Sequence, residues 1–156
     1  MTICKWLSIK LAASLIAIVQ PWPAQAEPVE KSRIEVVDGD SVRLDGIEWR
    51  LKGFDTPEIA TSRCEAERRL GLLAKARLEA LITAATVVDL AGDGEKDRHK
   101  RPLGDLLLDG VNVRDLMVTE LLARPYNGGR RKGWCSFDSR EDLVPGLPPS
   151  RGKGKG

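Results

Sequence analysis

Aromatic side chains are scarce, with four Trp, two Phe and one Tyr in 156 residues. This argues against a surface that reads nucleic acid by stacking bases on many exposed rings. His99 is the only histidine, and it lies in a charged loop, so it reads as a solvated or substrate-contacting side chain rather than a general base. Excess charge of one sign is also missing: 25 basic residues face 23 acidic ones. Without Lys5 and Lys10 the balance is zero, which is not the footprint of a tight, static polyanion binder. The charge is unevenly spread, net −4 over 27–129 and net +4 over 130–156. No apolar run is long enough to span a bilayer, which takes roughly 20 residues.

The longest apolar run, Leu11 to Val19, follows Lys5 and Lys10 and precedes Pro21, Pro23 and Ala24-Gln25-Ala26. A positive flank, a short apolar stretch, a breaker and small residues before a cut make residues 1–26 an export signal. An uncleaved anchor is the alternative. Cleavage predicts an exported protein, periplasmic or secreted, with no stable membrane association. It removes Cys4 and leaves Cys64 and Cys135, an even pair that in an oxidising compartment reads as a disulfide. Two free thiols are the bland alternative.

Ile34 and Val36, then Val42 and Leu44, then Ile47, Trp49 and Leu51 alternate with polar residues, which predicts a three-strand meander with Arg50 on its outer face. Asp45-Gly46 marks a hairpin. Pro57 ends the third strand. From Ser62 to Ala84, Ala66, Leu70, Leu73, Ala74, Leu78, Leu81 and Ile82 trace the apolar stripe of one long helix. Gly71 within it costs about 1 kcal/mol relative to Ala. Strands follow at Thr86–Leu90 and Leu103–Leu108, then a short helix with Asn112 as N-cap and Pro125 as terminator. The expected fold is a five-stranded antiparallel β-barrel of OB type, with one long helix after strand 3 and a short helix after strand 5. It occupies 27–136, ahead of a basic Pro/Gly-rich tail, 137–156, expected to be disordered.

Asp38 and Asp40 flank one turn, and Asp55 and Glu58 sit in a second at the end of the third strand. A meander brings such turns together. An oxygen-only donor set suits a hard cation such as Ca²⁺ or Mg²⁺. Asp-Gly turns are common on their own. Arg50 and Arg101 raise the interest of the set, because guanidinium forks match phosphate geometry. Arg130-Arg131-Lys132 reads as a solvated run or as an attraction for a polyanion.

The stretches VVDGDSVRL, WRLKGFDTPEI and DRHKRPLG followed by LLLDGVNV resemble the thermonuclease (staphylococcal nuclease) family over roughly residues 33–126. The resemblance implies a five-stranded OB barrel with packed helices. It implies a calcium-dependent endonuclease, a hydrolase of DNA and/or RNA phosphodiesters that leaves 3′-phosphate ends. Position by position, it implies Asp40, Asp55 and the Thr56 carbonyl as Ca²⁺ ligands, Asp38 as an outer-shell acid, Glu58 as general base, and Arg50 and Arg101 as the phosphate-binding pair. His99-Lys100-Arg101 departs from the family's aromatic before a Gly-Arg pair, and the segment around Trp134-Cys135 stands where the family has a third helix. A competing reading is a non-catalytic OB module that binds single-stranded nucleic acid. Nothing in the sequence suggests more than a monomer.

Overall fold

The computed structural model describes residues 28–135. The export signal and the tail expected from sequence lie outside them. The described chain is a mixed sheet with two helices. Strands β1 (Ile34–Asp38), β2 (Ser41–Leu44), β3 (Ile47–Leu51) and β4 (Phe54–Asp55) precede helix α1 (Glu65–Ala84). Strands β5 (Val88–Lys96), β6 (Pro102–Leu108) and β7 (Val111–Asn112), helix α2 (Val113–Thr119) and strand β8 (Arg124–Pro125) follow.

The meander forms as its alternation dictates. β1 pairs with β2, and β2 with β3, both antiparallel, with Val36 opposite Val42 and Val42 opposite Trp49. Asp45 and Gly46 both take positive φ, 51° and 81°, the turn whose twist matches a tight hairpin. The main sheet runs β1-β2-β3-β6-β5, with β7 paired to β6. The expectation of an all-antiparallel sheet is corrected at one pair: β3 and β6 are parallel. A parallel neighbour needs a long crossover, and α1 with β5 supplies it.

Five strands become eight, because three two-residue strands carry no periodicity to read. Phe54–Asp55, read as the end of the meander, instead pairs antiparallel with Arg124–Pro125 to form a separate small sheet. The long helix therefore follows β4, and the short one follows β7. The fourth strand is nine residues, not five, since Ala91, Gly92 and Lys96 pair with β6 despite their polar surroundings. Asn112 caps α2 as its sequence suggests, accepting from the Arg114 N–H at 2.9 Å.

The core lies between the sheet and α1. Val36, Val42, Leu51, Phe54, Val88, Leu106 and Leu108 pack against Ala74, Leu78 and Ile82. The helix is rotated from its expected stripe. Leu73 is 58% exposed, and the buried line runs Glu67, Gly71, Ala74, Leu78, Ile82. A Cβ on Gly71 would stand 2.7 Å from the Pro57 carbonyl oxygen. The helix presents its bare position to the loop that carries Glu58, which offsets the lost propensity. Gly39 does the same between Asp38 and Asp40: a Cβ there would meet Ala74 Cβ at 2.8 Å and Thr56 Oγ1 at 2.9 Å. Both acidic turns are thus seated on one helix through two glycines.

The disulfide joins Cys64 to Cys135, with Cα atoms 5.9 Å apart. Cys64 is also the N-cap of α1, and buried Glu67 reaches back to accept from the Arg63 N–H at 2.7 Å. No helix forms around Trp134 among the described residues; residues 131–135 form an irregular strap. None of the described helices is long and apolar enough to cross a membrane.

Candidate active site

Arg50 is the first correction at the site. Alternation puts it on the outer face of β3, yet it is 5% exposed. The strand end is covered by the two acidic turns, and Arg50 is the cation between them. Its Nη1 lies 2.6 Å from Asp40 Oδ2 and donates to the Asp40 carbonyl at 2.9 Å. Its Nη2 donates to the Phe54 carbonyl at 2.9 Å and lies 3.6 Å from Asp55 Oδ1. Two buried carboxylates from separate turns are held by one fork.

Asp40 Oδ2 also accepts the Thr56 N–H at 3.0 Å, which ties the first turn to the second. Thr56 is buried, and its Oγ1 has no hydrogen-bond partner. Asp38 accepts the Gly39 N–H at 2.8 Å. Burial, with the charges of Asp40 and Glu58 adding to it, pushes the Asp38 carboxyl up to about 6 against that hydrogen bond. Burial also raises Asp55, opposed by Arg131 and reinforced by Asp40.

Arg101 enters from the turn before β6. Asp97 holds it at Nε (2.9 Å) and Nη2 (2.8 Å), and Nη1 donates to Glu48 at 2.8 Å and Ser41 Oγ at 3.3 Å. One cleft is lined by Asp38, Asp40, Glu58, Arg101 and His99, with Arg131 at its side. Arg50 and Asp55 do not line it; they connect to Asp40 through the Arg50 contacts. The seven positions singled out from sequence (Asp38, Asp40, Arg50, Asp55, Thr56, Glu58 and Arg101) therefore gather at one end of the sheet. His99 is exposed and accepts from Arg98 Nε at 3.0 Å.

Three further residues stand at this site whose place beside the acids was not read from sequence, although Arg131 belongs to the basic run singled out there and Trp134 to the segment named there. Arg131 Nη1 pairs with Glu58 Oε1, and its Nε lies 3.0 Å from Asp55 Oδ1. That second approach is an ion-pair contact without hydrogen-bond alignment, so Asp55 Oδ1 is buried with no hydrogen bond. Burial works against the Arg131 charge, but Asp55, Asp40 and Glu58 outweigh it and hold the guanidinium above its ordinary value. Trp134 Nε1 donates to Asp55 Oδ2 at 3.3 Å. Arg124 stacks over Trp134 at 3.6 Å and donates to the Gly133 carbonyl at 3.0 Å. The available signal is the cysteine spacing. Cys64 lies six residues after Glu58 and Cys135 four after Arg131, so the bridge brings the basic run to the acids.

The donor set fits a hard divalent cation. Asp40 and Asp55 offer only oxygen, no His or Cys hydrogen-bonds to either among the described residues, and Asp55 Oδ1 lacks a hydrogen bond. Among the described residues, the group whose His, Cys, Asp or Glu ligand atoms all lie within 4.8 Å of one another is a different one, Cys64, Glu67 and Cys135, and both its sulfurs are committed to the disulfide. No protein-family model matches the chain, and no curated protein matches it.

Proposed function

We propose that this protein is an exported, calcium-dependent nuclease that hydrolyses phosphodiester bonds of DNA and/or RNA. The observation that carries the reading is the single cleft in which Asp40, Glu58 and Arg101 meet, backed by the Arg50–Asp40 and Arg50–Asp55 contacts. We read its scaffold as an OB-type barrel. In support, the Val29 N–H donates to the Val88 carbonyl at 2.7 Å, which brings the chain ahead of β1 against β5, the opposite edge of the sheet. The resemblance of VVDGDSVRL, WRLKGFDTPEI and DRHKRPLG to the thermonuclease family agrees with both readings.

Asp40 and Asp55, with the Thr56 carbonyl beside them, would hold the ion. Bound there, calcium supplies positive charge to the phosphate. Glu58 takes the proton from the attacking water, a contribution of about 10²–10⁴-fold. The water oxygen bonds to phosphorus, the P–O5′ bond breaks, and a proton goes to the leaving oxygen, so 3′-phosphate ends remain. Arg101 is 24% exposed at its side chain and donates to the phosphate oxygens as charge develops on them. Arg50 is more deeply set and fixes the two aspartates. Glu58 can serve as base only after Arg131 turns away from it.

That last contact favours one alternative, a non-catalytic module that binds single-stranded nucleic acid with Glu58 permanently neutralised. Hydrolysis of single-stranded DNA by the oxidised protein separates the two. Cleavage in Ca²⁺ that vanishes with chelator and falls at least a hundredfold in Glu58→Ala supports the enzyme. Binding without cleavage in Ca²⁺ or Mg²⁺ rejects it in favour of the module.

A further inference from the structure

Beside the acidic cleft lies a second one, about 530 Å³, whose lining is basic throughout: Arg63, Arg98, Arg130, Arg131 and Lys132, with Tyr126 and two glycines. No carboxylate lines it. Its cations come from three segments distant in sequence, namely the residue before the α1 N-cap Cys64, the β5–β6 turn and the irregular strap around 130–135. The bridge holds two of these together, because Arg63 precedes Cys64 and Arg130 to Lys132 precede Cys135. Gathering like charges in one hollow is unfavourable unless an anion offsets it. Arg63 and Arg130 are exposed and pair with no carboxylate among the described residues. A small intermediate hollow, lined by Asp55, Glu58, Arg63, Arg98 and Arg131, joins this cleft to the acids. A single strand lying across Arg101 and Glu58 would therefore carry its next phosphates into the basic cleft.

We propose that this cleft is a subsite for phosphates flanking the scissile bond, which makes the protein selective for polynucleotides over isolated phosphodiesters. The inference rests on the phosphodiesterase reading for its place in the reaction, but not for the binding itself. Arg63 and Arg130 supply contacts that a small diester never reaches. Neither touches the acids of the first cleft.

The test uses the oxidised protein and the double variant Arg63→Gln/Arg130→Gln. One substrate is a single-stranded oligonucleotide; the other is a chromogenic nucleoside phosphodiester with one phosphate. The expected result is a loss on the order of tenfold in kcat/KM for the oligonucleotide at low salt, with turnover of the small diester unchanged. Oligonucleotide affinity, read by fluorescence anisotropy, should lose about 1.4 from its log–log salt slope, two contacts at ~0.7 each on a single strand. Equal losses on both substrates, or no loss on either, overturn the subsite. If the wild type cleaves neither substrate, the nuclease reading fails, and the anisotropy decides the subsite by itself. An unchanged affinity and slope in the double variant would then reject it, and a weakened, flatter one would sustain it.

Discussion

Arg131 and Glu58, 73 positions apart in sequence, form an ion pair in the lining of the acidic cleft. The same guanidinium approaches Asp55 at 3.0 Å, so one arginine meets two of the four acids singled out from sequence. The strap that carries it is anchored by the Trp134–Asp55 and Arg124–Gly133 hydrogen bonds and by the bridge to Cys64.

An arginine so placed competes with a divalent cation for Asp55. Arg131→Gln should therefore tighten Ca²⁺ binding, on the order of tenfold, since an ion pair at such a distance is worth about 1–4 kcal/mol between water and a protein surface. Isothermal calorimetry on the oxidised protein measures this, with Arg130→Gln as the control for a general loss of positive charge. Affinity that is unchanged or weaker in Arg131→Gln contradicts the competition.

Arg50 has a structural part that its expected role on phosphate does not describe. It is the buried partner of Asp40 and Asp55 and donates to two carbonyls. Removing one member of a buried pair strands the other charges, so Arg50→Ala should cost about 3–5 kcal/mol. Urea unfolding would measure it, and a loss below about 1 kcal/mol would mean that the pair is not a structural tie.

Gly71 makes a prediction of sign. Helix propensity alone says that Gly71→Ala stabilises α1 by about 1 kcal/mol. The Pro57 carbonyl, 2.7 Å from the added methyl, says that the loop must move. Crowding of this kind typically costs 1–3 kcal/mol, so the variant should melt lower than the wild type. It should also lose turnover, because the displaced loop carries Glu58. A higher melting temperature would show that the contact is slack.

Asp109 gives the stability a dependence on pH. Its carboxylate accepts the Val87 N–H at 2.8 Å and the Thr86 N–H at 3.0 Å, and these bonds hold it below the usual carboxylate value. A lowered folded value means that the unfolded chain takes up the proton first as pH falls. The stabilisation is complete above pH ~4 and is lost on further acidification through the folded value. Acid unfolding of Asp109→Asn should accordingly begin from a lower stability and show a shallower slope below pH ~4. Superimposable curves would assign the turn no part in acid sensitivity.

The local signals in the chain were strong, and they show which elements a sequence determines by itself. Asp45-Gly46 made its hairpin and Asn112 its cap, because turn and cap chemistry act within a few residues. Strand alternation located the meander, and the even cysteine pair anticipated the bridge. The candidate site residues were legible for the same reason: Asp40, Arg50, Asp55 and Glu58 lie on consecutive turns and strands, and a meander leaves their ends adjacent.

Tertiary structure decided what depends on faces and on distant segments. The stripe of α1 could not reveal that Leu73 faces out while Gly71 and Glu67 face in, since the rotation is set by how closely the Pro57 carbonyl and the Gly39 turn approach. Alternation put Arg50 toward solvent, and only the turns folding over the strand end bury it. Two-residue strands such as Phe54–Asp55 have no period at all and exist because Arg124–Pro125 arrives beside them. Arg131 belongs to the acidic cleft for the same physical reason. The attraction between its guanidinium and the two carboxylates becomes effective only when the fold and the disulfide close a loop of 71 residues.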